Sequence, residues 1–219
     1  CKIDVMFARQ LSRFDHILVE IERALSTSLD AKPEAQRPSP AVGMAEADLD
    51  DIQRRHAAGL MRVNHTGEVC AQALYQGQAL TARLATVREG MEQAASEEND
   101  HLIWCETRLK ELGSHTSRLN PLFYAGAFTI GALAGKAGDR WSLGFVAETE
   151  HQVVDHLDSH LRRLPVDDQH TRAILEQMKD DEARHATQAL AAGGRRLPLP
   201  IRWLMKGVSK VMTRTAYWV

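Results

Sequence analysis

The residues with the clearest chemical pattern are Asp181-Glu182-Ala183-Arg184-His185. Glu182 and His185 are three residues apart. On an α-helix that spacing puts them on one face, ~60° apart and ~4.5 Å along the axis. A carboxylate oxygen and an imidazole nitrogen so placed can grip one cation. Glu98-Asn99-Asp100-His101 repeats the pattern. Two Glu-x-x-His pairs on separate helices supply four ligands of a two-metal carboxylate site, and the remaining two are one Glu from each of two further helices.

Those single glutamates have to be sought in the remaining helices. Glu68 closes Asn64-His65-Thr66-Gly67-Glu68 and precedes Val69, Cys70, Ala71, Ala73 and Leu74. A charged residue amid small and apolar neighbours must be paired, protonated or metal-bound. Taken alone, Glu68 reads equally well as part of a solvated stripe. Further on, Glu148 and Glu150 are both available, and spacing does not choose between them. The interval Glu68 to Glu98 is 30 residues and Glu150 to Glu182 is 32, each one helical hairpin with its ligand near mid-helix. The middle interval is longer. Two similar hairpins joined by a long connection predict an all-α, ferritin-like four-helix bundle.

The elements that position these residues follow in chain order. Phe7, Leu11, Phe14, Leu18, Ile21 and Leu25 form a one-sided apolar stripe, predicting an amphipathic helix over residues 4–25. Packing on the main domain is the expected role, with a membrane-surface or partner helix as the alternative. Pro33, Pro38 and Pro40 make residues 26–47 a linker, where no ligand is expected. Asp48 or Asp50 caps a long helix to about Ala85. A second helix runs from about Glu89 to Leu112, with Gly113 as its stop. Residues 119–147 form the crossover, uncharged from Pro121 to Gly135. Its readings are a buried connecting helix or a segment immersed in a membrane interface. Two more helices run from about Trp141 to Leu164 and from about Asp167 to Ala192. In the tail, Arg202, Lys206, Lys210 and Arg214 are four apart and form one basic stripe beside Trp203, Leu204, Val208 and Trp218. That combination reads as a membrane-surface helix. The chain thus divides into residues 1–47, a bundle over 48–194 and a basic amphipathic tail over 195–219.

The totals bound the alternatives. A net charge of −2 over 219 residues gives no argument for nucleic acid. With aromatics at 5%, a β-sandwich is disfavoured. The cysteines, Cys1, Cys70 and Cys105, have no disulfide or zinc spacing, which fits a reduced compartment. Residues 1–30 mix acids with bases, so no cleavable signal is expected. No run of 18 apolar residues occurs, so no spanning helix is expected.

Asn64-His65-Thr66-Gly67-Glu68, Glu98-Asn99-Asp100-His101 and Asp181-Glu182-Ala183-Arg184-His185, with the greasy crossover, resemble the di-iron hydroxylases of ubiquinone biosynthesis. These act on 3-demethoxyubiquinol (2-polyprenyl-3-methyl-6-methoxy-1,4-benzoquinol). The resemblance covers residues 48–194 and extends to Arg37-Pro38-Ser39-Pro40 and the basic tail. It implies that Glu68, Glu98, His101, Glu150, Glu182 and His185 are iron ligands. Glu98 and Glu182 would bridge two irons cycling between Fe2+ and Fe3+, with O2 as co-substrate. Glu150 is taken over Glu148 because the family's ligand lies six residues before a recurring histidine, here His156. Ligand histidines need partners for their other nitrogen. Asp181 and Glu97 are the candidates, with Arg184 pairing one of them and His156 beside the site. The resemblance further implies a polyprenyl quinol substrate, and a peripheral position on the cytoplasmic side of the cell inner membrane. A homo-oligomer or a ubiquinone-biosynthesis complex is the expected assembly. The alternatives are a ferritin-like iron or peroxide handler without an organic substrate, and a tRNA-modifying hydroxylase, for which the charge balance offers no basic groove.

Overall fold

Asp50 fixes the start of the first helix. Its carboxylate accepts the N–H groups of Ile52 and Gln53, and the Gln53 side chain returns to the Asp50 N–H at 3.0 Å. This capping box satisfies amide groups that the helix cannot pair itself. Helix α1 then runs Asp51–Thr81 in the computed structural model, which describes residues 34–219. The amphipathic stretch expected over residues 4–25 lies outside the described residues.

Helical periodicity alone carries α1 to Ala85, but the helix stops at Thr81. The reason is distant in sequence. Asp139 accepts the backbone N–H groups of Arg83 and Leu84 at 3.0 and 2.9 Å, which holds the turn open. Helix α2 therefore starts at Ala85, earlier than Glu89, and runs to Glu111. It closes with Gly113 at φ +68°, where Gly113 N–H bonds Lys110 C=O and Ser114 N–H bonds Leu109 C=O. That is a Schellman ending, which needs a left-handed residue at the glycine position.

Helices α3 (Asn120–Ala137), α4 (Asp139–Arg163), α5 (Gln169–Ala191) and α6 (Leu199–Ala216) complete the described chain. The described residues contain no strand. Helices α1 and α2 pair as one hairpin and α4 and α5 as another, and α3 lies along α1. The fold is the ferritin-like four-helix bundle, with α3 as its crossover. The turn between α3 and α4 is the single residue Gly138, at φ +121°. Residues 139–147, read as crossover from sequence, therefore already belong to α4.

Three apolar clusters form among the described residues; Val69, Ala73, Leu102, Tyr124 and Ala127 pack α3 on α1 and α2, and the other two fill the bundle on either side of its middle. One joins Leu60, Met61, Trp104, Leu157, Leu175 and Met178. The other joins Tyr75, Val87, Met91, Leu143, Val146 and Ala189. On every bundle helix, the glutamates and histidines singled out above fall between these two clusters.

The α1–α3 contact is a close backbone approach. A Cβ added at Gly131 would come within 2.3 Å of Leu74 O, and one at Gly77 within 2.3 Å of Phe128 O. Thr81 Oγ1 donates to Ala132 O across the same seam at 3.1 Å. Small residues permit such approach, and neither backbone oxygen has a rotamer by which to yield. The outer side of α3 remains apolar and open, with Leu122 68% and Leu133 63% exposed.

Helix α6 rests on α1 and α4. Buried Arg62 donates to Tyr217 O, His115 O and Ser114 Oγ, and the Tyr217 hydroxyl lies 2.7 Å from His56 Nδ1. The expected stripe of four free bases is corrected in one position. Arg202 turns inward to an ion pair with Glu148 at 2.6 Å, while Lys206, Lys210 and Arg214 stay exposed.

Gly131→Leu is expected to cost about 3 kcal/mol by overpacking against immovable backbone. For a chain of this size that lowers Tm by roughly 6–12 °C. Gly126→Ala, on the same helix with nothing within 4 Å of the new Cβ, is expected to stabilise by up to ~1 kcal/mol through helix propensity. Thermal unfolding of both variants checks the contrast, and equal melting temperatures would remove the close-packing account.

Candidate metal centre

Helical phase brings Glu68 from α1, Glu98 and His101 from α2, Glu150 from α4, and Glu182 and His185 from α5 to the middle of the bundle. All six are buried. One ligand atom each from Glu68, Glu98, His101 and Glu182 lies within 4.8 Å of the others. His101 Nδ1 is 3.0 Å from Glu98 Oε2, 3.1 Å from Glu182 Oε1 and 3.6 Å from Glu68 Oε2. His185 Nδ1 is 3.2 Å from Glu98 Oε1 and 3.5 Å from Glu182 Oε2. Glu98 and Glu182 therefore each turn one oxygen to His101 and the other to His185.

Both imidazoles point Nδ1 inward and are held by Nε2. His101 Nε2 is 3.0 Å from Asp181 Oδ2, and His185 Nε2 is 2.7 Å from Glu97 Oε2. The exchange is reciprocal, since the acid preceding each motif's glutamate holds the other motif's histidine. A neutral imidazole donating Nε2–H to its acid leaves Nδ1 as a free lone pair facing the centre. Arg184 donates to Asp181 Oδ1 at 2.8 Å and lies 3.9 Å from Glu97, so it braces both acids.

The neighbouring glutamates separate cleanly. Glu148 pairs with Arg202 and accepts from Gln152, at the side of α4 nearest α6. Glu150 is 1% exposed and accepts from the Tyr75 hydroxyl at 2.5 Å. The His156 ring lies tilted against His160, with ring centroids 3.9 Å apart, and its Nε2 has no hydrogen-bond partner among the described residues. Among the described residues no hydrogen bond or ion pair ties it to the carboxylates.

Two contributors were not legible in the motifs. Arg37, from the proline-rich segment where no ligand is expected, donates to Asp100 and Asp181, each at 2.8 Å. Its guanidinium also stands 4.9 Å over the Trp104 ring, and Trp104 Nε1–H donates to its carbonyl. The signal available was only a basic residue in the family-like Arg37-Pro38-Ser39-Pro40. Tyr75 lies seven residues after Glu68, on the same face of α1.

The donor set fits divalent metal. Glu98 Oε1, Glu150 Oε2, both Glu182 oxygens and His185 Nδ1 are buried without a well-directed hydrogen bond. Native proteins rarely leave such atoms unpartnered. Four carboxylates with two imidazoles suit iron or manganese better than zinc. A second acidic group, Glu46, Glu111 and His170, is a different case, because the Arg108 guanidinium already binds both of its glutamates along with Asp168.

Protons balance the cluster before metal enters. Burial disfavours charge on His101, but Glu98 and the other carboxylates hold its pKa well above the ordinary imidazole value. Burial likewise opposes charge on His185, yet Glu182 and Glu98 raise its pKa to about 12. Glu98 is kept ionised against its burial by His101 and His185. Burial and the neighbouring carboxylates push Glu68 and Glu150 upward, toward the neutral acid.

A family model described as ubiquinone biosynthesis protein COQ7 matches residues 55–216. A Nitrosococcus oceani protein named 3-demethoxyubiquinol 3-hydroxylase is 60% identical over 214 residues, spanning 98% of this chain and all of its own length. A relative of the same name from Stutzerimonas stutzeri is 59% identical, with 95% of this chain and 97% of its own covered. Another, from Chromohalobacter salexigens, is 57% identical over 96% of this chain and 99% of its own.

Two expectations follow from the geometry. Ligands bind metal deprotonated, so Mn(II) or Fe(II) uptake near neutral pH should release at least the two imidazolium protons of His101 and His185. Affinity should therefore rise with pH. Calorimetry in buffers of different ionisation enthalpy measures this, and uptake without proton release would refute the charge balance. Asp181→Asn should weaken metal affinity by about 10–100-fold, and an unchanged affinity would reduce Asp181 to a helix-pairing acid.

Proposed function

The chain belongs to the COQ7 family of ubiquinone biosynthesis proteins, and from that premise we propose that it is the 3-demethoxyubiquinol 3-hydroxylase of its host, an O2-dependent di-iron monooxygenase. It is an oxidoreductase of ubiquinone biosynthesis, and its relatives at 56–60% identity carry that activity in their names. The observation that carries the metal reading is the placing of Glu98 and Glu182, which divide their oxygens between two inward-facing imidazoles. That is the disposition of carboxylates shared by two cations. Glu68 and Glu150 would be the terminal carboxylates, and His101 and His185 would supply the nitrogen donors. Nothing observed favours iron storage or peroxide handling instead.

Bound as a pair, Fe2+ ions supply the electrons and coordination positions through which O2 becomes reactive toward an electron-rich quinol ring. The protein supplies the rest. Asp181 and Glu97 fix the tautomer and plane of the two imidazoles. His101, Arg37 and Arg184 hold the Asp181 carboxyl below its ordinary range, and Arg184 also stands beside Glu97. The apolar clusters on either side exclude water, so reactive oxygen meets the ring rather than solvent.

The substrate's polyprenyl tail keeps it in a bilayer, so the enzyme works at a membrane surface, on the cytoplasmic side of the inner membrane in this reading. No described helix is long and apolar enough to cross a membrane. What supports surface binding is the open apolar side of α3 and the exposed Trp203, Leu204, Val208, Val211 and Trp218 of the tail, with Lys206, Lys210 and Arg214 beside them.

The test is product analysis with iron-loaded protein, a chemical reductant and quinol. One labelled oxygen from O2 should appear at the ring position vacant in the substrate, and its absence would sink the hydroxylase reading. A second arm addresses delivery. Each exposed base near an anionic surface contributes ~1 kcal/mol, so reversing Lys206, Lys210 and Arg214 to Glu should release the protein from anionic vesicles. Arg202 is left unchanged because it braces Glu148. Turnover of long-tailed quinol should then fall while a short-tailed analogue is still hydroxylated. Equal loss on both would mean the helix supports the fold instead.

A further inference from the structure

Tyr75 is the only one of the named polar groups around the centre that holds a candidate ligand oxygen directly through a hydroxyl. It stands on α1 within the apolar cluster of Val87, Met91, Leu143 and Val146, and is 2% exposed. Its hydroxyl donates to Glu150 Oε1 at 2.5 Å. The other oxygen of that carboxylate, Oε2, is buried with no well-directed hydrogen bond among the described residues. One oxygen of Glu150 is thus engaged by the protein and the other is offered to the centre.

We propose that Tyr75 is a positioning residue that restricts Glu150 to single-oxygen ligation and so keeps one coordination position open for an exogenous ligand. The inference rests on the two-metal reading above. A carboxylate with no protein partner is free to chelate one cation through both oxygens. A short hydrogen bond to Oε1 competes with that second bond, because the phenol must be given up before Oε1 can turn to the metal. The other carboxylates are constrained differently. Glu98 and Glu182 already divide their oxygens between two imidazoles. Glu68 faces His101 and Glu98 and not a hydroxyl. The control therefore acts at one arm of the centre, on the α4–α5 side.

Tyr75→Phe removes the donor and keeps the ring that packs the cluster. The diferric variant should still hold two irons per chain and keep its helical circular dichroism. Its affinity for azide, read from the charge-transfer absorption, should fall about tenfold. The Mössbauer parameters of one iron of the pair should change and those of the other should not. Loss of packing alone would move the melting temperature without this one-sided spectral change. A folded, loaded variant with unchanged azide affinity and unchanged spectrum would overturn the proposal. Should the variant fail to fold, a crystal structure of the Mn(II)-loaded native chain decides. One Glu150 oxygen on metal and the other on Tyr75 supports the proposal, and both oxygens on one metal overturns it. A native chain that binds no metal pair would instead overturn the two-metal reading itself.

Discussion

Four glutamates and two histidines share the dry centre of a helical bundle, and the rest of the molecule answers to the cost of placing them there. A buried ion without a partner is penalised by several kcal/mol even after relaxation. Here the charges are balanced within the cluster, first by protons on the imidazoles and, in the functional reading, by divalent metal. Replacing protons by metal lets all four carboxylates ionise together. A site of this kind favours loading because the metal-free state is held together by carboxylates that are partly neutralised and poorly hydrogen-bonded.

The surrounding shell keeps that cluster from collapsing onto itself. Asp181 and Glu97 pull the imidazoles outward by Nε2, so that Nδ1 faces the carboxylates from fixed positions. Arg37 and Arg184 hold the acids in turn. Arg37 reaches Asp100 on α2 and Asp181 on α5 at once, so a segment outside the bundle fastens the two Glu-x-x-His helices at the level of the site. Far from the centre, buried Arg108 does a similar job at the other end of α2. It gathers Glu46, Glu111 and Asp168, the last of which also caps α5 through the Thr171 N–H.

The outer helices obey a different constraint. Glycines at 77 and 131 let α3 lie against α1 at backbone distance, and among the described residues Leu122, Ile130 and Leu133 of α3 stay exposed. Helix α6 is fastened at its ends, by Arg202 to Glu148 and by Tyr217 to Arg62 and His56. Its middle keeps tryptophan, aliphatic and basic side chains in the open. In the membrane-surface reading proposed above, these are the surfaces that would face lipid.

Local sequence was sufficient wherever the physical cause was local. The spacing of Glu98 and His101, and of Glu182 and His185, is helical phase, and phase is set by the backbone alone. The interval between glutamates fixed the hairpins, and their unequal connection fixed the ferritin-like order. Gly113 was a legible stop because a Schellman ending needs only the glycine and the residues just before it. Other features waited on contacts between residues far apart. Glu148 and Glu150 differ by two positions, ~200° around the helix; spacing left both open, the family resemblance took Glu150, and in the structure Arg202 docks on Glu148 and Tyr75 on Glu150. The end of α1 depends on Asp139, more than fifty residues on. Arg37 looked like linker because its partners, Asp100 and Asp181, lie 63 and 144 positions away. Sequence determined which side chains share a face of one helix; only the packed bundle decided which faces meet, because that choice is made by long-range contacts that periodicity does not encode.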